Sequence, residues 1–147
     1  MKIKELEMYE KCYKKLFGRM LKKGKKIKNQ NIYIYIKEEI KKKTETNPFW
    51  VIYFAFKNLL PVIDTKKKRL GSTKKEIPIL ITNKKQTKDV VSWLYNINKI
   101  SKRTIELLYI VEEIILSYEK KSKGYKCKMN RYMQGIQNMY LIFLIKK

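Results

Sequence analysis

The side chains of this sequence that could do chemistry are almost all cations. Lys22, Lys23, Lys25, Lys26 and Lys28 form one cluster, Lys66 to Lys75 a second, Lys84 to Lys88 a third, and Lys120 to Lys128 a fourth. Grouped cations neutralise phosphates, and backbone N–H groups at helix starts and turns add to them. Other chemistries lack their parts. Histidine, the side chain best suited to proton transfer near neutral pH, does not occur. No GxxxxGK[ST], GxSxG or HExxH stretch is present. The acidic residues are mostly spaced with lysines at helical intervals, which predicts surface ion pairs rather than paired general acids and bases. Cys12 and Cys127 form no CxxC pair, and without histidine no zinc ligand set is completed. Two small buried thiols are the favoured reading for them, a disulfide the alternative. The sequence therefore predicts no enzyme, no metal and no cofactor.

The balance of charge says what such cations are for. Among 147 residues, 36 Lys+Arg face 13 Asp+Glu, a formal net charge of +23. With 44% hydrophobic residues the chain is no basic tail, and one domain over residues 1–147 is expected. A globular protein this cationic repels itself unless a polyanion neutralises it. The longest uncharged apolar runs, Phe49 to Phe56 and Met139 to Ile145, fall far short of a membrane span. A membrane-active basic helix would have one continuous apolar face and no independent core. Glu5, Glu7 and Glu10 lie inside the first apolar pattern, unlike a secretory signal or an acid-poor transit peptide. Nucleic acid is left as the partner. Lys outnumbers Arg eight to one and Ala55 is the only alanine, the mark of A/T-rich codons. Each surviving arginine (Arg19, Arg69, Arg103, Arg131) is therefore of interest, because lysine cannot copy its planar fork.

Helices must position most of these cations. Tyr9, Tyr13, Leu16, Phe17 and Met20 recur at helical spacing, predicting a helix over Ile3 to Lys22 that Gly24 ends. A second is expected from about Lys28 to Lys43, although Ile32 to Ile36 alternates like a strand. Asn47-Pro48 reads as an N-cap followed by proline at the first helical position. The helix it opens, Phe49 to Leu60, is apolar nearly all round and is expected at the centre of the core, Trp50 included. Val62 to Thr65 and Ile77 to Thr82 read as two short strands of a hairpin with a long basic tip, Pro78 marking an edge. Helices resume from about Lys84 to Lys99, with Asn83 as cap and Trp93 in the apolar stripe, and from Ser101 to Tyr118. Gly124 is read as a break. A last helix from about Met129 carries the stripe Met133, Ile136, Tyr140, Phe143 and Leu144. The predicted fold is mainly α, a six-helix bundle with one protruding two-stranded β-ribbon.

A basic ribbon suits a groove or a nucleic-acid strand. DNA-bending ribbons carry an apolar or proline wedge at the tip, and here Leu70 stands alone among cations, which favours RNA. A nucleoid-type DNA-bending protein is the alternative.

The residues from Ala55 to Trp93 resemble a family, small-ribosomal-subunit protein seven. Ala55, Asn58-Leu59 and Pro61 are similar to its A-L-E-N-V-x-P segment, and Lys66 to Thr73 (KKKRLGST) to its K-S-R-R-V-G-G-S/A. Ile77-Pro78-Ile79 resembles V-P-V, and Trp93 falls at the spacing of R-W. Upstream, Met20 to Lys26 resembles L-M-x-x-G-K-K. The resemblance implies binding to the multihelix junction in the 3′ major domain of small-subunit rRNA and nucleation of head assembly. It also implies neighbouring head and platform proteins, with the ribbon and last helix near exit-site tRNA and the mRNA exit. Carried over, Lys22, Lys23, Lys25 and Lys26 meet rRNA after the first helix, Lys66, Lys68 and Arg69 along the ribbon, and Lys84 and Lys85 at the fourth helix. Leu70, Gly71, Ser72, Thr73 and Lys74 form the tip near tRNA and mRNA, with Gly71 supplying the turn. Ser72 replaces the family's second tip glycine, Lys75 an aromatic, and Gln86 an arginine. Neither a membrane nor a homo-oligomer is implied. The codon-driven composition, with no targeting peptide, leads to the expectation of a protein made and used in a mitochondrion, with a plastid-type organelle or a bacterium as alternatives.

Overall fold

Why six helices form is visible in which side chains they bury. A computed structural model describes residues 3–21, 23–70, 72–96 and 103–141. Helix α1 (Ile3–Met20) buries Tyr9, Cys12, Leu16 and Met20, one face at three- and four-residue spacing. Helix α2 (Lys26–Thr44) buries Ile36 and Ile40 and leaves Ile34 exposed, so the alternating run is helical after all. Asn47 caps α3 (Pro48–Leu59) by accepting a hydrogen bond from the Phe49 N–H, and Pro48 takes the first helical position. α3 buries Val51, Ile52, Tyr53, Ala55, Phe56 and Leu59, and packs most extensively against α5 (Arg103–Tyr118), which buries Ile110, Val111 and Ile114. Between them in sequence lies α4 (Asn83–Asn96), burying Val90, Val91, Trp93 and Leu94. α4 starts at Asn83 itself, and the Thr82 carbonyl accepts from the Lys85 and Gln86 N–H groups, so Asn83 is not the cap.

Strands β1 (Ile63–Leu70) and β2 (Thr73–Leu80) pair antiparallel, from Ile63 opposite Leu80 to Leu70 opposite Thr73. The ladder thus runs straight through the basic stretch expected to be a loop, leaving only residues 71–72 for the turn. Lysine tolerates a strand whose faces are solvated, and each added residue pair continues an existing ladder.

Five expectations give way to packing. The last helix, α6 (Lys123–Gln137), begins six residues earlier than its apolar pattern indicated. Ser122 caps it by accepting from the Tyr125 N–H, and Gly124 lies in its first turn. A Cβ on Gly124 would come within 3.1 Å of Trp93 Cβ and 3.2 Å of Leu59 Cδ2, so glycine here permits close approach instead of breaking the helix. Because α6 docks through Gly124 and Gly135, its apolar stripe faces away: Met133, Ile136 and Tyr140 are more than half exposed. Phe143 and Leu144 lie outside the described residues. Trp50 is 46% exposed in the first turn of α3, on the face away from buried Val51 and Ile52, and is not a core residue. Both cysteines are free; Cys12 is buried but Cys127 is exposed on α6. Burial pushes the Cys12 thiol up to about 12, against a smaller downward pull from Lys15, so it stays protonated and unreactive.

Candidate nucleic-acid interface

Three groups of exposed cations include the positions singled out in the sequence. The first is the α1–α2 turn. Lys23 and Gly24 both adopt left-handed backbone, at φ 53° and 69°, and reverse the chain within the basic cluster. Gly24 suits that conformation without strain, and the turn leaves Lys23, Lys25 and Lys26 exposed. The Asn29 side-chain amide donates to the Phe17 carbonyl at 2.8 Å, holding α2 against α1. Lys22 lies outside the described residues.

The ribbon is the second. Paired strand residues share a face, so Lys66, Lys68 and Lys75 lie on one side and Lys67, Arg69 and Lys74 on the other. Two directly opposed pairs, Lys68–Lys75 and Arg69–Lys74, are like-charged, an arrangement that destabilises an isolated ribbon. Lys67 instead sits opposite Glu76, with 3.6 Å between Nζ and Oε1. Ser72, Thr73 and Lys74 are exposed at the tip, Leu70 ends β1, and Gly71 lies outside the described residues.

The third is a cleft of about 410 Å³ between α1 and α4, lined by Lys15, Arg19, Lys84, Lys88 and Val91. Lys15 and Arg19 are four residues apart on α1, as are Lys84 and Lys88 on α4, so each helix presents two cations on one face. Lys15 Nζ donates to Thr87 Oγ1 at 2.6 Å and to the Lys84 carbonyl at 3.1 Å, which fixes it at the rim. Arg19 lies over the Tyr95 ring at 5.8 Å. Like charges at i,i+4 destabilise a helix, and no carboxylate among the described residues lines this cleft. What it can do chemically is take anionic oxygens. Of these residues the sequence pointed individually to Lys84 and, among the scarce arginines, to Arg19. Lys15 and Lys88 carry a signal in their i,i+4 spacing from Arg19 and Lys84, but that α1 and α4 face each other is a fact of tertiary packing.

The next face of α4 is occupied. Lys85 Nζ is bonded to Asp64 Oδ2 on β1, so this sequence-derived candidate is already paired with a carboxylate of the ribbon base. Asp64 is buried at 6% exposure. Burial raises its carboxyl pKa, but the Lys85 ammonium, the Thr65 N–H and Arg131 outweigh it and hold the group below the usual carboxylate range. The fourth cluster is also partly structural. Lys128 Nζ donates to the Asn58 carbonyl at the end of α3 at 2.7 Å, beside the Tyr125 and Tyr132 rings. Burial, with Lys120 nearby, lowers its pKa.

No helix among the described residues is long and apolar enough to cross a membrane. Residues 2–135 match the family described as Ribosomal protein S7p/S5e. A protein named small ribosomal subunit protein uS7 from Thermotoga maritima is 26% identical over 124 residues, covering 84% of this chain and 80% of that one. The uS7 protein of Pelagibacter ubique is 27% identical over 112 residues, covering 76% and 72%. A uS7c protein from Trieres chinensis is 29% identical over 121 residues, covering 78% and 77%.

Proposed function

Because the chain belongs to the Ribosomal protein S7p/S5e family, structural and non-enzymatic components of the small ribosomal subunit, we propose that its ribbon and its α1/α4 cleft together grip one junction of small-subunit rRNA. The junction is the multihelix one of the 3′ major domain, and the grip nucleates assembly of the subunit head. One observation carries this reading. The cleft and the ribbon set like charges beside one another: the i,i+4 pairs Lys15/Arg19 and Lys84/Lys88, and the cross-strand pairs Lys68/Lys75 and Arg69/Lys74. Phosphates offset that repulsion, and rRNA helices that converge at a junction bring phosphates from several directions.

Lys23, Lys25 and Lys26 extend the grip at the α1–α2 turn, with Lys22 beside them in sequence. Lys66, Lys68 and Arg69 continue it along the ribbon, and Lys84 serves the cleft. Lys85 acts first as a partner of Asp64 and reaches RNA only secondarily. The tip, Leu70 to Lys74, and the last helix lie near exit-site tRNA and mRNA in this reading, among head and platform proteins. The Lys-rich composition supports a mitochondrial ribosome as its location. In a native extract the protein is expected to sediment with small subunits and to leave the heavy fraction on RNase treatment. Release by DNase instead of RNase would overturn the proposal in favour of the DNA-bending reading.

A further inference from the structure

In a chain that uses lysine for nearly every cation, Arg131 is kept for a contact that has no phosphate in it. Its Nη1 lies 2.6 Å from Asp89 Oδ2 on α4 and 3.5 Å from Asp64 Oδ1 on β1. The guanidinium also stacks over the Trp93 ring, 4.9 Å from its centroid. One side chain on α6 therefore joins α6, α4 and the ribbon, and Lys85 holds the other oxygen of Asp64. Adjacent positions close the same joint. Tyr132 Oη accepts from the Val62 N–H at 2.8 Å, and a Cβ on Gly135 would meet Ile63 Cγ2 at 3.4 Å and Pro78 Cβ at 3.6 Å. A lysine ammonium could meet the carboxylates, but it has no planar guanidinium to lay over the indole at the same time.

We propose that Arg131 is a positioning residue for RNA binding: it fixes the angle at which the ribbon leaves the bundle, so that ribbon and cleft cations meet the same RNA. This rests on the RNA-binding reading above. The eight residues of β1 span about 24 Å, so a 10° rotation at the base displaces the tip by about 4 Å, enough to break contacts with phosphates. Charge count is untouched by such a rotation. Discrimination between a shaped junction and any other RNA is what it removes.

The test is Arg131→Lys, which keeps the charge, in full-length protein with Cys127→Ser and spin labels on Ser72→Cys at the tip and Asn31→Cys on α2. Pulsed electron resonance is expected to give one narrow distance distribution in the parent and a clearly broader one in the variant, with helical circular dichroism unchanged. Affinity for the junction RNA is expected to fall tenfold or more, while affinity for random duplex RNA stays within twofold. Asp89→Asn, nearly isosteric, is the second variant and is expected to broaden the distribution in the same way. Equal widths in parent and both variants, or a parent already as broad, would overturn the proposal. A parent that binds junction and duplex alike counts against the RNA reading, while the distance distributions still decide whether Arg131 sets the ribbon.

Discussion

Replacing Lys66, Lys68 and Arg69 together by glutamine is expected to flatten the salt dependence of RNA binding and weaken binding most at low salt. These three cations are exposed on the ribbon and, among the described residues, sit in no ion pair, so removing them leaves no carboxylate uncompensated. Each phosphate contact contributes up to about 0.9 to the slope of log K against log salt, so three contacts are worth up to about 2.7. Between 50 and 200 mM salt the affinity gap between parent and variant then closes by up to about 40-fold. Removing like-charged neighbours from the ribbon relieves the Lys68–Lys75 and Arg69–Lys74 repulsion, so folding stability is expected to hold or rise slightly. Filter binding across a salt series, with urea melts alongside, reads both quantities. Parallel log–log lines for parent and variant would mean that the ribbon does not touch phosphates.

The opposite pattern is expected from Phe56→Ala. Phe56 is 2% exposed in the middle of α3, and its ring packs near Tyr9 with centroids 5.7 Å apart. Truncation removes the ring's burial and leaves a cavity that α1, α3 and α5 cannot fully close, for a loss of about 3–5 kcal/mol. A domain of this size has about 5–15 kcal/mol in total, so the urea midpoint falls steeply. Every cation of the ribbon and cleft remains, and with them the slope of RNA binding, measured at a temperature where the variant stays folded. A loss under 1 kcal/mol would show that the α1–α3 contact is not the centre of the core.

Most of the architecture was legible because helical periodicity and two punctuation marks, Asn47-Pro48 and Gly24, are local. Leu16 announces its burial by spacing, and Phe56 by lying in a helix that is apolar nearly all round. Position in space is what spacing does not encode. The stripe of Met133, Ile136 and Tyr140 has the periodicity of a core face, yet α6 docks through Gly124 and Gly135, and Gly124 looks like a break until the neighbouring Trp93 and Leu59 are seen. Lys85 and Lys84 are indistinguishable in sequence, and a 100° turn of helix sends one to Asp64 and the other to the cleft. Arginine scarcity singled out Arg19, Arg69, Arg103 and Arg131. It could not say that Arg131 would serve two aspartates while Arg19 lines a cleft with Lys15, Lys84 and Lys88.

Cations from two parts of one fold, ribbon and cleft, are proposed to recognise the shape of an rRNA junction and not merely its charge. The direct measurement is competition, at 150 mM salt, between the head-domain junction RNA and a random duplex of equal length for the isolated protein. The account predicts a preference for the junction of about a thousandfold or more, comparable to the lower range for specific nucleic-acid binders. Equal affinity for the two RNAs would contradict it.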